Sequence, residues 1–166
     1  MNRQNGTAHS GKKPLLILGI GNLLMGDEGV GVHLAKRLEA VAPEGVDVLD
    51  GGTGGFHLMS WFEGYQKVIL IDATLDAHEP GTIRLIRPRF ASDFPRAMST
   101  HDIGLKDVVE SMLLLGTLPE IHLFAVSIAT VQPMQVGLSP EIEACLTPLS
   151  RQVLDLAEVL SGTSVR

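Results

Sequence analysis

Two adjacent acids, Asp27 and Glu28, follow an apolar run and a glycine-rich turn in LLILGIGNLLMGDEGVGVHLAKRLE, which starts at Leu15. A third acid, Asp72, closes a second apolar run, KVILID, and His101 stands in STHD beyond a long loop. Carboxylates at the carboxyl ends of strands lie where an open α/β sheet places its chemistry. If the two apolar runs are neighbouring strands, Glu28 and Asp72 converge on one crevice. Two carboxylates and an imidazole suit a hard or borderline divalent ion and leave positions open for substrate or water. The same groups also serve as proton acceptors.

Each residue has a plainer reading. Acids in the first turn of a helix meet the positive end of its dipole, for ~0.3–1 kcal/mol. Asp27 takes that role, which leaves Glu28, in a solvent-facing turn, for chemistry. Asp72 could simply end its strand. Of six histidines, His101 ranks first as the third donor and His57 second. His9 lies in the tail, His33 one helical turn past Glu28, where a surface position is the plainer reading, His78 in a turn and His122 at the start of a strand. No His-Glu-x-x-His segment is present. Cys145, spaced with Ile142 and Leu149 on an amphipathic helix, reads as packing rather than a nucleophile.

Alternating strands and helices must position these groups. Strands are expected over 15–20, 46–49, 67–72, 82–87 and 121–127. Helices are expected over 29–41, 56–63 and 104–115. A last helix, capped by Ser139 with Pro140 at its first position, should kink or split at Pro148 before resuming to about Leu160. This alternation predicts a three-layer α/β domain with a mostly parallel sheet. The Pro80-Gly81 turn is too short for a helical crossover, so the strand after it should be an antiparallel edge.

The 166 residues fit one domain, read as residues 14–161 between polar tails at 1–13 and 162–166. A net charge of -6 argues against nucleic acid as the partner. One cysteine excludes an internal disulfide and a thiolate cluster. No apolar stretch approaches the ~18 residues that span a membrane, so a soluble, cytoplasmic protein is expected. A dinucleotide site is the first alternative, since Gly19-Ile20-Gly21 follows a strand and Asp50 ends the next. The third glycine is missing, because position 24 is Leu and Gly26 comes two residues late. Asp27 and Glu28 would also repel a pyrophosphate at that helix start.

The segments LGIGNLLMGDEGVGV, DGGTGG, LIDA followed by PGTIRL, STHDIGL and GLSPEIEACLTPL, in this order, resemble the maturation endopeptidases of nickel–iron hydrogenases. That resemblance implies a phosphorylase/hydrolase-like α/β/α sandwich with a five-stranded sheet ordered 2-1-3-5-4, strand four antiparallel. It implies removal of a C-terminal extension from the hydrogenase large-subunit precursor after nickel insertion. The family's metal-contacting acid falls on Glu28, its strand-end aspartate on Asp72 and its histidine on His101. Its substrate-recognition segment falls on Asp50, Gly51, Gly52 and Thr53. Nickel would arrive on the precursor, and another divalent ion could fill the site in isolation. Either the three residues grip that nickel to position the scissile bond, or the ion activates water. A non-catalytic, nickel-sensing chaperone that binds the immature subunit is the alternative function.

Overall fold

The computed structural model describes residues 11–95 and 103–162. His101, with its neighbours Ser99, Thr100 and Asp102, lies outside the described residues. The apolar runs form strands that are buried from both sides, as central parallel strands must be. β1 (Lys13–Gly19) pairs in parallel with β2 (Val46–Asp50) on one side and with β3 (Tyr65–Leu75) on the other. β3 pairs in parallel with β5 (Glu120–Ile128), and β4 (Ile83–Ile86) runs antiparallel on the outer edge of β5. The strand order is β2-β1-β3-β5-β4. The expected edge strand and sheet order are therefore both found.

Alternation along the strands divides the core in two. Leu15, Ile17, Ile69 and Ile71 face a layer made by α1 (Val30–Leu38) and α4 (Pro140–Ser161). Leu16, Leu18, Val68 and Leu70 face α2 (Leu58–Glu63) and α3 (Ile103–Leu115). Asp72 has the parity of Val68 and Leu70 and so belongs to the α2/α3 face.

Several elements differ from expectation. β1 starts at Lys13, inside the segment read as a tail, because Lys13 pairs with Tyr65 and donates to Asp47 at 2.8 Å. α1 starts only at Val30, after a 3-10 turn over Gly26–Gly29. α4 does not split at Pro148; it runs unbroken for 22 residues. Ile142, Cys145, Leu146, Leu149, Val153 and Ala157 are buried along it on both sides of the proline. Proline in a helix interior costs ~3 kcal/mol or more, whereas burying a single large aliphatic side chain returns ~1.5–3 kcal/mol. The continuous apolar stripe therefore wins.

α1 is seated on the sheet by a backbone contact. A Cβ at Gly31 would lie 2.3 Å from the carbonyl oxygens of both Ile20 and Ile71. Neither strand end can move away without breaking its ladder. Gly31→Ala should therefore destabilise the fold by about 1–3 kcal/mol, the usual cost of overpacking. Urea unfolding followed by circular dichroism measures this, and a midpoint equal to the parent's would contradict the close contact.

Candidate functional site

The site begins where β1 leaves the sheet. The last β1–β3 register pair is Gly19 with Ile71, and the Ile20 N–H still donates to the Ile71 carbonyl at 2.9 Å. The Gly21 N–H then turns away to the Gly52 carbonyl at 2.8 Å. Asp72 is the next residue of β3, and it is 1% exposed. Contrary to expectation it does not end its strand. β3 continues to Leu75, paired with β5 alone. Asp72 thus stands beside the gap that β1 leaves, with its Oδ1 accepting the Ala73 N–H at 2.8 Å.

Glu28 lies in the 3-10 turn, which packs directly on β3. A Cβ at Gly21 would be 2.2 Å from the Glu28 carbonyl oxygen. The β1 exit loop is thus pressed against the backbone of the acid. Glu28 is 1% exposed, not solvent-facing as the glycine-rich turn suggested. Its Oε2 is buried with no hydrogen-bond partner among the described residues. A buried carboxylate oxygen without a donor is costly. A cation or an N–H or O–H group brought by a substrate would satisfy it.

Asp27 does not cap α1. No side chain caps either the 3-10 turn or α1. The Asp27 carboxylate instead accepts the Ser139 N–H at 2.7 Å and the Gln132 amide at 3.0 Å. Ser139 holds the position before α4, with Pro140 following, but its side chain makes no capping bond. Sequence reasoning missed Gln132. A partner 105 residues away leaves no periodic trace. The family-like segment beginning at Gly137 was the only hint that this region matters.

The glycine-rich segment folds back on the exit loop. The Gly51 N–H donates to the Gly19 carbonyl at 2.8 Å, and Asp50 Oδ1 accepts the Gly52 N–H at 2.8 Å. Asp50, Gly52 and Thr53 line a shallow groove of about 180 Å³ with Gly21, Asn22 and Leu23. The groove runs beside the turn that carries Glu28.

The other histidines are engaged elsewhere. The His57 ring packs edge-on to Trp61, and its Nε2 lies 3.3 Å from the Gly51 carbonyl. His33 is half-buried, with Nε2 3.2 Å from the Val136 carbonyl. His78 pairs with Asp76, and the buried His122 pairs with Glu120. Among the described residues, no three of His, Cys, Asp and Glu gather closely enough to hold a metal ion. Glu28 and Asp72 supply two hard oxygen donors at one corner of the sheet. The third donor of the sequence reading, His101, lies outside the described residues.

Comparison with known proteins gives this corner a context. A family model described as hydrogenase maturation protease matches residues 32–156. The chain belongs to the hydrogenase maturation protease family. It is 34% identical over 145 residues to the hydrogenase 2 maturation protease of Escherichia coli, covering 84% of this chain and 88% of that one. The solved hydrogenase maturating endopeptidase HybD of E. coli superposes with a TM-score of 0.79 at 33% identity, covering 87% and 92% of the two chains. The HybD maturation protease of Thermococcus kodakarensis superposes at 0.71 with 29% identity over 86% and 98%. Membership makes the chain a peptide hydrolase and decides against the non-catalytic chaperone. No helix among the described residues is long and apolar enough to cross a membrane.

A maturation protease with one cysteine raises the question of a thiol nucleophile. Cys145 is 7% exposed on the sheet-facing side of α4. Burial, with the charge of Asp27 adding, pushes its thiol up to about 11. Thiolates, not thiols, attack electrophiles. At pH 8 a disulfide reagent such as DTNB should therefore label the native protein about two orders of magnitude more slowly than the urea-unfolded chain. Equal rates would show that Cys145 is accessible and activated.

Proposed function

We propose that this protease removes the C-terminal extension of a nickel–iron hydrogenase large-subunit precursor after nickel insertion, with the nickel on that precursor as its recognition element. The supporting observation is the buried Glu28 carboxylate, whose Oε2 has no hydrogen-bond partner among the described residues. It lies in a turn packed on the strand that bears Asp72. In this reading Glu28, Asp72 and His101 grip the nickel already held by the precursor. The extension lies along the groove lined by Asp50, Gly52 and Thr53 with the β1 exit loop, and the buried Gly51 holds that segment against Gly19. Gripping the ion places the scissile bond. A carboxylate of the pair not fully engaged with the ion takes a proton from the attacking water. Recognition and nickel insertion are then coupled, because a precursor without nickel offers nothing for the carboxylates to hold.

The test is cleavage of purified precursor, with and without nickel, followed by mass spectrometry of the released peptide. The parent protein should cut only the loaded form. Glu28→Gln and His101→Ala should each lose ~100-fold or more, at or beyond the upper end of what removing a supporting contact to a metal site costs. His57→Gln and His78→Gln should stay within a few-fold of the parent. Efficient cutting of nickel-free precursor, or full activity of Glu28→Gln, would refute the reading. Activity should also fall as the pH drops below ~6.5, where an ordinary imidazole gains the proton that competes with metal. A profile flat to pH 5 would remove His101 from the grip.

A further inference from the structure

Asp27 precedes Glu28, and its carboxylate bonds run to a single distant segment. Ser139 N–H donates to Oδ1 at 2.7 Å, and Gln132 Nε2 donates to Oδ2 at 3.0 Å. The Gln132 amide oxygen in turn accepts the Asp27 backbone N–H at 2.9 Å. One amide therefore both gives to and takes from one residue. Backbone bonds run alongside, from Gly26 N–H to the Gln135 carbonyl at 2.7 Å and from Gln135 N–H to the Leu24 carbonyl at 3.2 Å. Gly26 has φ +60, and a Cβ there would come within 2.2 Å of Gln132 Oε1. The turn and the β5–α4 connection are thus locked together by polar contacts.

Glu28 has no comparable hold on its own side chain. Among the described residues its Oε2 is buried without a partner, and its N–H reaches only the Met25 carbonyl, at 3.4 Å. The backbone that aims it is the backbone fixed through Asp27. We infer that Asp27 and Gln132 form a latch that positions Glu28 for the cleavage reaction across the β5–α4 connection. This inference rests on the proposed role of Glu28. Asp27 is a positioning residue here, since it contacts the aiming segment and not the substrate. The same connection carries Met134 and Val136, 84% and 59% exposed. A precursor bearing on that surface would act on the latch directly.

The donor pattern of the latch gives it a specific test. Asp27→Asn sets an amide N–H₂ against the Gln132 N–H₂. Gln132→Glu sets a carboxylate against the Asp27 carboxylate. In the double variant Asp27→Asn/Gln132→Glu, the new amide at 27 donates to the new carboxylate at 132. The other oxygen at 132 still accepts the backbone N–H of residue 27. Hydrogen-bond count and net charge are then those of the parent.

Kinetics with nickel-loaded precursor, run beside circular dichroism and thermal melting, decide the matter. Each single variant should lose about 10- to 100-fold in kcat/KM while folded, the usual effect of misplacing a ligating carboxylate. The double variant should recover to within a few-fold of the parent. Gln132→Ala, altered only in the connection, should match the single losses and carries the test if Asp27→Asn does not fold. Single variants that melt earlier but cleave at the parental rate would make the latch merely structural and overturn the inference. A double variant no better than its worse parent would overturn it too. If the parent itself leaves the loaded precursor uncut, the proposed function fails first. If the parent cuts and all the variants cut equally, the latch alone fails.

Discussion

Everything at this corner of the molecule follows from burying acids at the end of a parallel sheet. Asp27, Glu28 and Asp72 are each no more than 2% exposed. A buried carboxylate is tolerated when hydrogen bonds or opposite charge meet it. Asp27 is met by a backbone N–H and a side-chain amide from one segment. Asp72 has the N–H of the following residue on Oδ1. Glu28 keeps one oxygen unmet. A purely structural turn would not keep an acid in that state, since a glutamine or an aliphatic residue would cost less there. The unmet oxygen is the observation on which the proposed role of Glu28 rests.

Close backbone packing is what brings these acids to one place. Gly31 touches the carbonyls of Ile20 and Ile71, and Gly21 touches that of Glu28. The first contact seats α1 on β1 and β3 together. The second presses the exit loop onto the acidic turn. Side chains at either position would lift the helix start off the sheet and carry Glu28 away from β3. Of the glycines that look like a nucleotide-binding fingerprint in the sequence, Gly19 serves the helix–sheet contact, since a Cβ there would lie 2.0 Å from the Gly31 carbonyl oxygen, and Gly21 serves the contact with the turn. Asp50, the candidate ribose ligand of that reading, accepts a hydrogen bond from its own turn.

The sheet was legible because its signals are local. Each apolar run marked a strand, and the short Pro80-Gly81 turn marked the antiparallel edge. The failures share one cause, which is that long-range packing is silent in a linear pattern. Pro148 carries a local breaker signal, but the stripe it interrupts is buried along its whole length. Glycines around Glu28 signal an exposed loop, yet the turn is sandwiched between the exit loop and β3. Asp27 looked like a dipole partner because its true partners come from residues 132 and 139. Asp72 was placed correctly in chain order and wrongly at a strand end, because β3 outlasts its neighbour β1 but not β5.

The two adjacent acids make the division of labour plain. Chemically they are near-equals, one methylene apart, and position in the sequence cannot say which is structural. Hydrogen bonding can. Asp27, with the shorter side chain, accepts one hydrogen bond on each oxygen from the segment that abuts the turn. Glu28, with the longer side chain, keeps an Oε2 that no donor among the described residues meets. Exchanging the roles would leave the connection to α4 without its acceptor and set an already bonded carboxylate beside the groove. A turn that must fix one acid rigidly and keep the next available has to supply donors to the first and withhold them from the second. For Asp27 those donors come from Gln132 and Ser139, so the acidic corner is completed by a part of the chain more than a hundred residues downstream.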